Sequence, residues 1–276
     1  MNFKEENIKK HSELFCVTDE VHALADELMY AFNCKSNTED FRPSQMPLHK
    51  TVFLYLFNAA LKQYASIKVL CLEGYGQSSS IILRSMLENL ISIKYMIFSE
   101  NTSSLAERFI GYRWIDMRKS LNYWRMEDKV KNKDLRDKIL LKEKEIEQKC
   151  KDFKERFNIK KGQLKTWSGL SIEEMAQKAD MLADYNLMYR LSCNFSHSGF
   201  LGAQPGVDKG LNHTLFSSKP AFDFIIGVLE SAIQYLHEFL STYNHMFKLE
   251  KERELSDFHK KAIKVFGMSK YKENDG

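Results

Sequence analysis

The sequence predicts an all-α protein, a helical bundle of about six to eight helices with one long charged arm. Three observations predict it. Glycine (12) and proline (4) are scarce among 276 residues, so few breakers interrupt the chain. Apolar residues recur at helical spacing over most of the length, and no stretch shows the period-two alternation of a half-buried strand. Methionine is frequent (12), alongside many Leu, Lys and Glu, all good helix formers. The parts expected are an N-terminal helix and loop (1–46), the bundle (47–247) with its arm at about 129–161, and a charged C-terminal tail (248–276).

Residues 1–11 are polar and read as disordered or frayed. From Ser12 the residues Leu14, Val17, Val21, Leu24, Leu28 and Phe32 hold helical spacing. A polar loop with two prolines, "CKSNTEDFRPSQMP", follows. The segment "LHKTVFLYLFNAALKQYASIKVLCLEG" is apolar nearly all round, which suits a central buried helix. "GYGQSSS" ends it, and its serines are candidate caps for the next helix, "IILRSMLENLISIKYMIF". Arg84 and Glu88 are the conspicuous charges of that helix, four residues apart on an apolar surface, so buried they would need partners.

A helical pattern then runs from Ser103 to about Glu127, and a charged run continues to about Lys161. On that run Leu135, Ile139, Ile146, Cys150, Phe153 and Phe157 form a narrow apolar stripe, which reads as packing along one seam. Ser171 to Glu174 ("SIEE") is a capping-box pattern, and "MLADYNLMYRLSCNFSHS" is a further helix. After the glycine-rich "GFLGAQPGVDKGLNHTLFSSK", Pro220 is placed for the first turn of "AFDFIIGVLESAIQYLHEFLSTYNHMF". The tail holds one weak helical patch, "FHKKAIKVF".

Composition narrows the function. Hydrophobic residues are 43% and charged residues 28%. The polar "MNFKEENIKK" lacks a secretory signal, and no stretch approaches the roughly 18 uninterrupted apolar residues of a spanning helix. Five scattered cysteines without a C-x-x-C pair suggest reduced thiols. A cytoplasmic protein with no membrane association, no cofactor and no metal site is expected. The net charge of +4 is uneven: residues 129–165 hold 14 Lys/Arg against 7 Asp/Glu, a local +7. Lys129, Lys131, Lys133 and Lys138 are the candidate RNA contacts in this run, because such an excess attracts a polyanion. The alternative is a solvated helical face of mixed charge.

One constellation carries chemistry. In "YRLSCNFSHSGF", Arg190 and His197 are seven residues apart, about 20° around a helix and about 10 Å along it. Asn194 lies between them, and Gly199 is suited to end the helix. The helix C-terminus favours protonated histidine. Such a face is either a polar hydrogen-bond cluster or an active centre.

An arginine, six intervening residues and a histidine late in a helical bundle resembles the terminal motif of HEPN domains. The wider pattern, an "LRSMLEN" helix followed by "AERF" and Tyr112, is similar to a bacterial all-helical family over roughly Leu48 to Leu240. HEPN proteins are often dimers, and many are metal-independent ribonucleases of toxin–antitoxin and phage-defence systems. The resemblance implies an endoribonuclease acting as a homodimer, with an antitoxin or defence partner protein. Arg190 would hold the scissile phosphate, His197 would move the proton of the ribose 2′-OH, and Glu88 would orient one of them. Catalytic HEPN motifs usually carry a polar residue directly after the arginine. Here it is Leu191, with Asn194 as the available substitute. A catalytically silent helical module that binds RNA or a partner protein is the alternative.

Overall fold

A computed structural model describes residues 2–36, 46–126, 133–159, 166–196, 207–209, 214–216, 220 and 224–266; for 123–126, 133–141, 194–196, 207–209 and 214–216 only the backbone is described. The fold is an all-α bundle. Its elements are α1 (Phe3–Lys10), α2 (Ser12–Ser36), α3 (Leu48–Leu72), α4 (Gly76–Ile97), α5 (Thr102–Met126), α6 (Lys133–Arg156), α7 (Ile172–Lys178) and α8 (Leu182–Asp184). A π-helical segment (Tyr185–Tyr189), α9 (Arg190–Ser196), β1 (Val207–Lys209), β2 (Thr214–Phe216), α10 (Ile225–Phe247) and α11 (Glu252–Phe266) complete them. The two three-residue strands pair antiparallel, Val207 opposite Phe216.

Helices α2, α3, α4 and α10 form the centre, with α3 lying along α4. Phe53, Phe57, Phe239 and Tyr243 pack ring to ring there; Phe57 and Tyr243 stack with centroids 4.7 Å apart. Tyr64 is fully buried, and its hydroxyl donates to the Thr18 carbonyl on α2 at 2.9 Å, so the one polar atom of that ring is satisfied. At the far end of α10, Lys50 and Lys35 donate to the carbonyls of Met246, Phe247 and Lys248. Cations there satisfy orphan carbonyls and oppose the negative end of the helix dipole.

Several expectations change. Residues 3–10 form a helix, not a frayed end: Asn2 and Glu5 make a capping box, and buried Asn7 donates to the carbonyls of Cys71 and Leu72. These contacts cap the last turn of α3 from 64 residues away, which local composition does not encode. The "charged tail" begins with the 15-residue α11, whose Leu255, Phe258 and Ala262 share a buried face against α2 and α10. The core thus draws on α2 and α11 as well as on the segments between them. The serines of "GYGQSSS" do not cap α4, which already starts at Gly76; Ser79 and Ser80 donate back to the carbonyls of Gly76 and Gln77. Gly74 precedes it at φ +84°, where a Cβ would lie 2.4 Å from the Phe3 ring and 2.6 Å from Pro220. Pro220 therefore abuts Gly74 rather than opening α10, which starts at Ile225 after Phe224 at φ +65°. Nor is α3 buried all round: Tyr55 and Val69 are exposed.

The arm is a hairpin closed within one chain. α6 packs along α5, where Ile146, Cys150 and Phe153 meet Ile115, with Tyr112, Trp114 and Phe157 around them. Leu135 and Ile139 belong to the part of α6 whose side chains are not described. Gly111 of α5 makes the approach possible, because a Cβ there would sit 2.5 Å from the Phe153 ring. The five cysteines are free thiols. Among the described residues no helix is long and apolar enough to cross a membrane.

Candidate functional site

The site is built where the chain after α7 runs back across α4. The sequence predicts one continuous helix over this stretch, but the chain widens into a π turn at Tyr185–Tyr189, whose end is marked by the Arg190 N–H donating to the Tyr185 carbonyl. Single π turns interrupt the regular hydrogen-bond ladder and recur at functional sites. Tyr185 and Tyr189 stack with centroids 4.7 Å apart and planes at 22°. Tyr235 of α10 reaches Asp184 at the start of this stretch.

Two guanidinium groups flank the tyrosine pair. Arg84 of α4 donates to the Tyr189 hydroxyl at 2.8 Å, lies 4.5 Å from the Tyr189 ring centroid, and pairs with Glu88 at 3.2 Å. Arg190 lies 5.6 Å from the Tyr185 ring centroid and pairs with Glu173 of α7 at 2.9 Å. Burial pushes both phenols above the ordinary tyrosine range; for Tyr189 the Arg84 hydrogen bond opposes this and nearby Glu88 adds to it. Both rings therefore stay neutral at physiological pH. The arginines differ in access. The Arg84 side chain is 21% exposed and acts as a strut between α4 and the π turn. The Arg190 side chain is 58% exposed and its Glu173 partner 49%, so a solvent anion can reach it. An exposed pair of this kind contributes about 0–1 kcal/mol. A phosphate offering a bidentate contact competes with it readily.

The structure brings together only part of the predicted set. Arg190 opens α9, and Asn194 lies on the same helix with its side chain outside the described residues. His197, Gly199, Lys129 and Lys131 lie outside the described residues, and Lys133 and Lys138 are placed by backbone alone. Glu88 was open to two readings, a structural pair with Arg84 or a group orienting Arg190 or His197. Its ion pair is with Arg84, and the described carboxylate on Arg190 is Glu173. Leu191 is part-buried while its neighbour Arg190 is exposed, so the two positions turn to different surroundings. Ser192 is fully buried, and its hydroxyl has no hydrogen-bond partner among the described residues. Tyr185, Tyr189 and Glu173 were missed in the sequence, although "DYNLMYR" spaces its tyrosines four apart beside Arg190.

The family model for a family of unknown function, DUF5677, matches residues 50–209, more than half the chain. The chain belongs to the DUF5677 family. The DUF5677 span runs from α3 through β1 and includes Arg84, Glu88, Glu173, Arg190 and His197. It leaves out α2, α10 and α11, which complete the core. No curated protein and no solved structure matches the chain. Among the described residues no group of three His, Cys, Asp or Glu side chains is arranged to hold a metal ion.

Proposed function

We propose that this protein is a HEPN-like, metal-independent endoribonuclease, a bacterial defence or toxin component that works as a homodimer in the cytoplasm. The observation that carries the reading is Arg190: an accessible guanidinium, held by a π turn and a weak exposed ion pair, on the helix that leads in sequence to His197. Arg190 takes the non-bridging oxygens of the scissile phosphate in place of Glu173, and Asn194 serves as the polar group beside it. His197 accepts the ribose 2′-OH proton. The 2′-oxygen forms its bond to phosphorus as the P–O5′ bond breaks, and the leaving 5′-oxygen takes up a proton. The products are a 2′,3′-cyclic phosphate and a 5′-hydroxyl. A histidine near its ordinary pKa suits both proton transfers at neutral pH. Arg84, Glu88 and the tyrosine pair fix the helix rather than touch the substrate.

The test is incubation of total RNA with the protein in EDTA. Cleavage with cyclic-phosphate ends is expected, and its loss in His197→Ala. Cleavage that appears only on adding Mg²⁺ or Mn²⁺ rejects the 2′-OH mechanism. A second reading, a catalytically silent helical module that binds RNA or a partner protein, is favoured by Leu191 directly after Arg190 and by the Glu173 carboxylate already on that guanidinium.

A further inference from the structure

A second arginine, on another helix, stands without a counter-charge among the described residues. Arg108 belongs to the "AERF" stretch of α5. Its helical neighbours three and four residues away are Ser104, Leu105, Gly111 and Tyr112, none of them acidic. The adjacent carboxylate, Glu107, is engaged by Arg156 of the arm. The Arg108 Nε is buried without a hydrogen-bond partner among the described residues, and the residue is neither fully buried nor fully exposed.

Beside the guanidinium lies a loop whose described polar groups bond among themselves. Thr166 to Ser171 closes on itself: the Thr166 and Ser168 hydroxyls donate to the Leu170 carbonyl, the Leu170 amide donates to Ser168, and the Gly169 amide donates to Thr166. Trp167 pins the loop by packing edge-on against Phe109, the residue after Arg108. Gly169 sits at φ +80°, and a Cβ there would lie 2.9 Å from the Arg108 Nη2. The left-handed backbone favours glycine here, and a Cβ would crowd the tip of the Arg108 side chain. The sequence just before the loop adds Lys160, Lys161 and Lys165 and no carboxylate. Two residues beyond the loop stands Glu173, which holds Arg190.

A half-buried, unpaired guanidinium costs desolvation unless a ligand repairs it. Its fork suits a phosphate better than a lone carboxylate contact. We propose that Arg108, seated against Gly169, binds a backbone phosphate of single-stranded RNA. This rests on RNA being the ligand, but not on its being cleaved. Arg108 is a binding residue and takes no part in bond breaking.

The test is equilibrium binding of a fluorescent single-stranded oligoribonucleotide at about 50 and 200 mM salt, with the full chain in a His197→Ala background, which removes the proton-transfer group and keeps Arg190, so that no cleavage intervenes. Adding Arg108→Gln, which keeps the aliphatic stem, should weaken binding at low salt about 5- to 10-fold and reduce the salt slope by about 0.7, the value of one phosphate contact to a single strand. Arg108→Lys should recover part of the loss. Equal affinity and slope for the Arg108→Gln and parent proteins overturns the proposal, even if wild-type protein cleaves RNA. Absence of any RNA binding by the parent overturns it together with both RNA readings. Arg108-dependent binding without cleavage by wild-type protein upholds it and rejects the nuclease. Thermal melts of each variant are compared with the parent; should Arg108→Gln unfold, Gly169→Ala, which crowds the guanidinium without removing it, must give the same loss of affinity for the proposal to stand.

Discussion

The central core and the α5–α6 arm bury apolar surface in different ways. In the core, rings from α3 and α10 interlock on several sides, and Phe53, Phe239 and Tyr243 are at most 2% exposed. Among the described residues the apolar cluster between α5 and α6 has four buried members, Ile115, Ile146, Cys150 and Phe153, and the closest approach is one ring over one glycine, Phe153 over Gly111. The core distributes its stability over many contacts among four helices, whereas the described part of the arm packs along one seam between two. The arm should therefore come loose without unfolding the bundle.

The harshest test of that difference is Phe239→Ala. Deleting a fully buried ring between Phe53 and Phe57 should cost about 3–5 kcal/mol, because α3 and α10 cannot collapse into the space. Urea unfolding should shift as one transition, with the arm lost along with the core. A variant that loses arm structure first would show that the arm, not the bundle, is the cooperative unit.

Gly111→Leu acts on the other side of the comparison. The new side chain occupies the space of the Phe153 ring, and overpacking of this kind costs about 1–3 kcal/mol. Hydrogen exchange should rise in the 142–156 amides while the amides of α3, α4 and α10 keep their protection. Uniformly faster exchange in both regions would mean that the two clusters fold as one.

Acid separates the regions next. His237 of α10 stacks with Phe258 at 5.9 Å and with His259 at 5.1 Å, and burial lowers its pKa below the ordinary value of 6.5. Burial lowers His11 and His49 in the same direction. In each case the unfolded chain binds more protons than the folded one, so stability is complete above about pH 6.5 and declines as pH falls through and below it. Neither α5 nor α6 contains a histidine. Between pH 7.5 and 5 the core should weaken, α11 first, while exchange in the arm changes less. His237→Gln should flatten the profile, and a stability unchanged down to pH 5 would contradict the assignment.

The sequence displayed what depends on local pattern. The long helices followed from apolar spacing, and the Ser171–Glu174 capping box is present as predicted. It concealed what distant partners impose. The helix α1 exists because Asn7 finds two carbonyls at the end of α3, and its own residues are almost all polar. The π turn forms where Tyr189 meets Arg84 across a separation of 105 residues, and a helical-wheel reading assumes 3.6 residues per turn throughout. At the site, Arg190 was singled out by its spacing to His197, which lies outside the described residues. Glu173 was not, because nothing local to α7 announces which cation it will meet.

The smallest expected stability effect belongs to the residue with the largest expected functional one. Arg190 has a 58% exposed side chain, pairs with a half-exposed carboxylate, and rests on one face of Tyr185. Removing it forfeits an exposed ion pair and part of a cation–π contact, about 1 kcal/mol or less together. Arg84→Ala removes the hydrogen bond to Tyr189 and strips Glu88 of its partner, so it should destabilise more than Arg190→Ala. Melting curves for the two variants beside wild type give the order directly. If RNA cleavage then falls to background in Arg190→Ala at unchanged stability, the guanidinium acts on substrate. If Arg190→Ala instead melts as early as Arg84→Ala, the Arg190–Glu173 pair is a strut of the same kind, and the accessible phosphate-binding role proposed for it is lost.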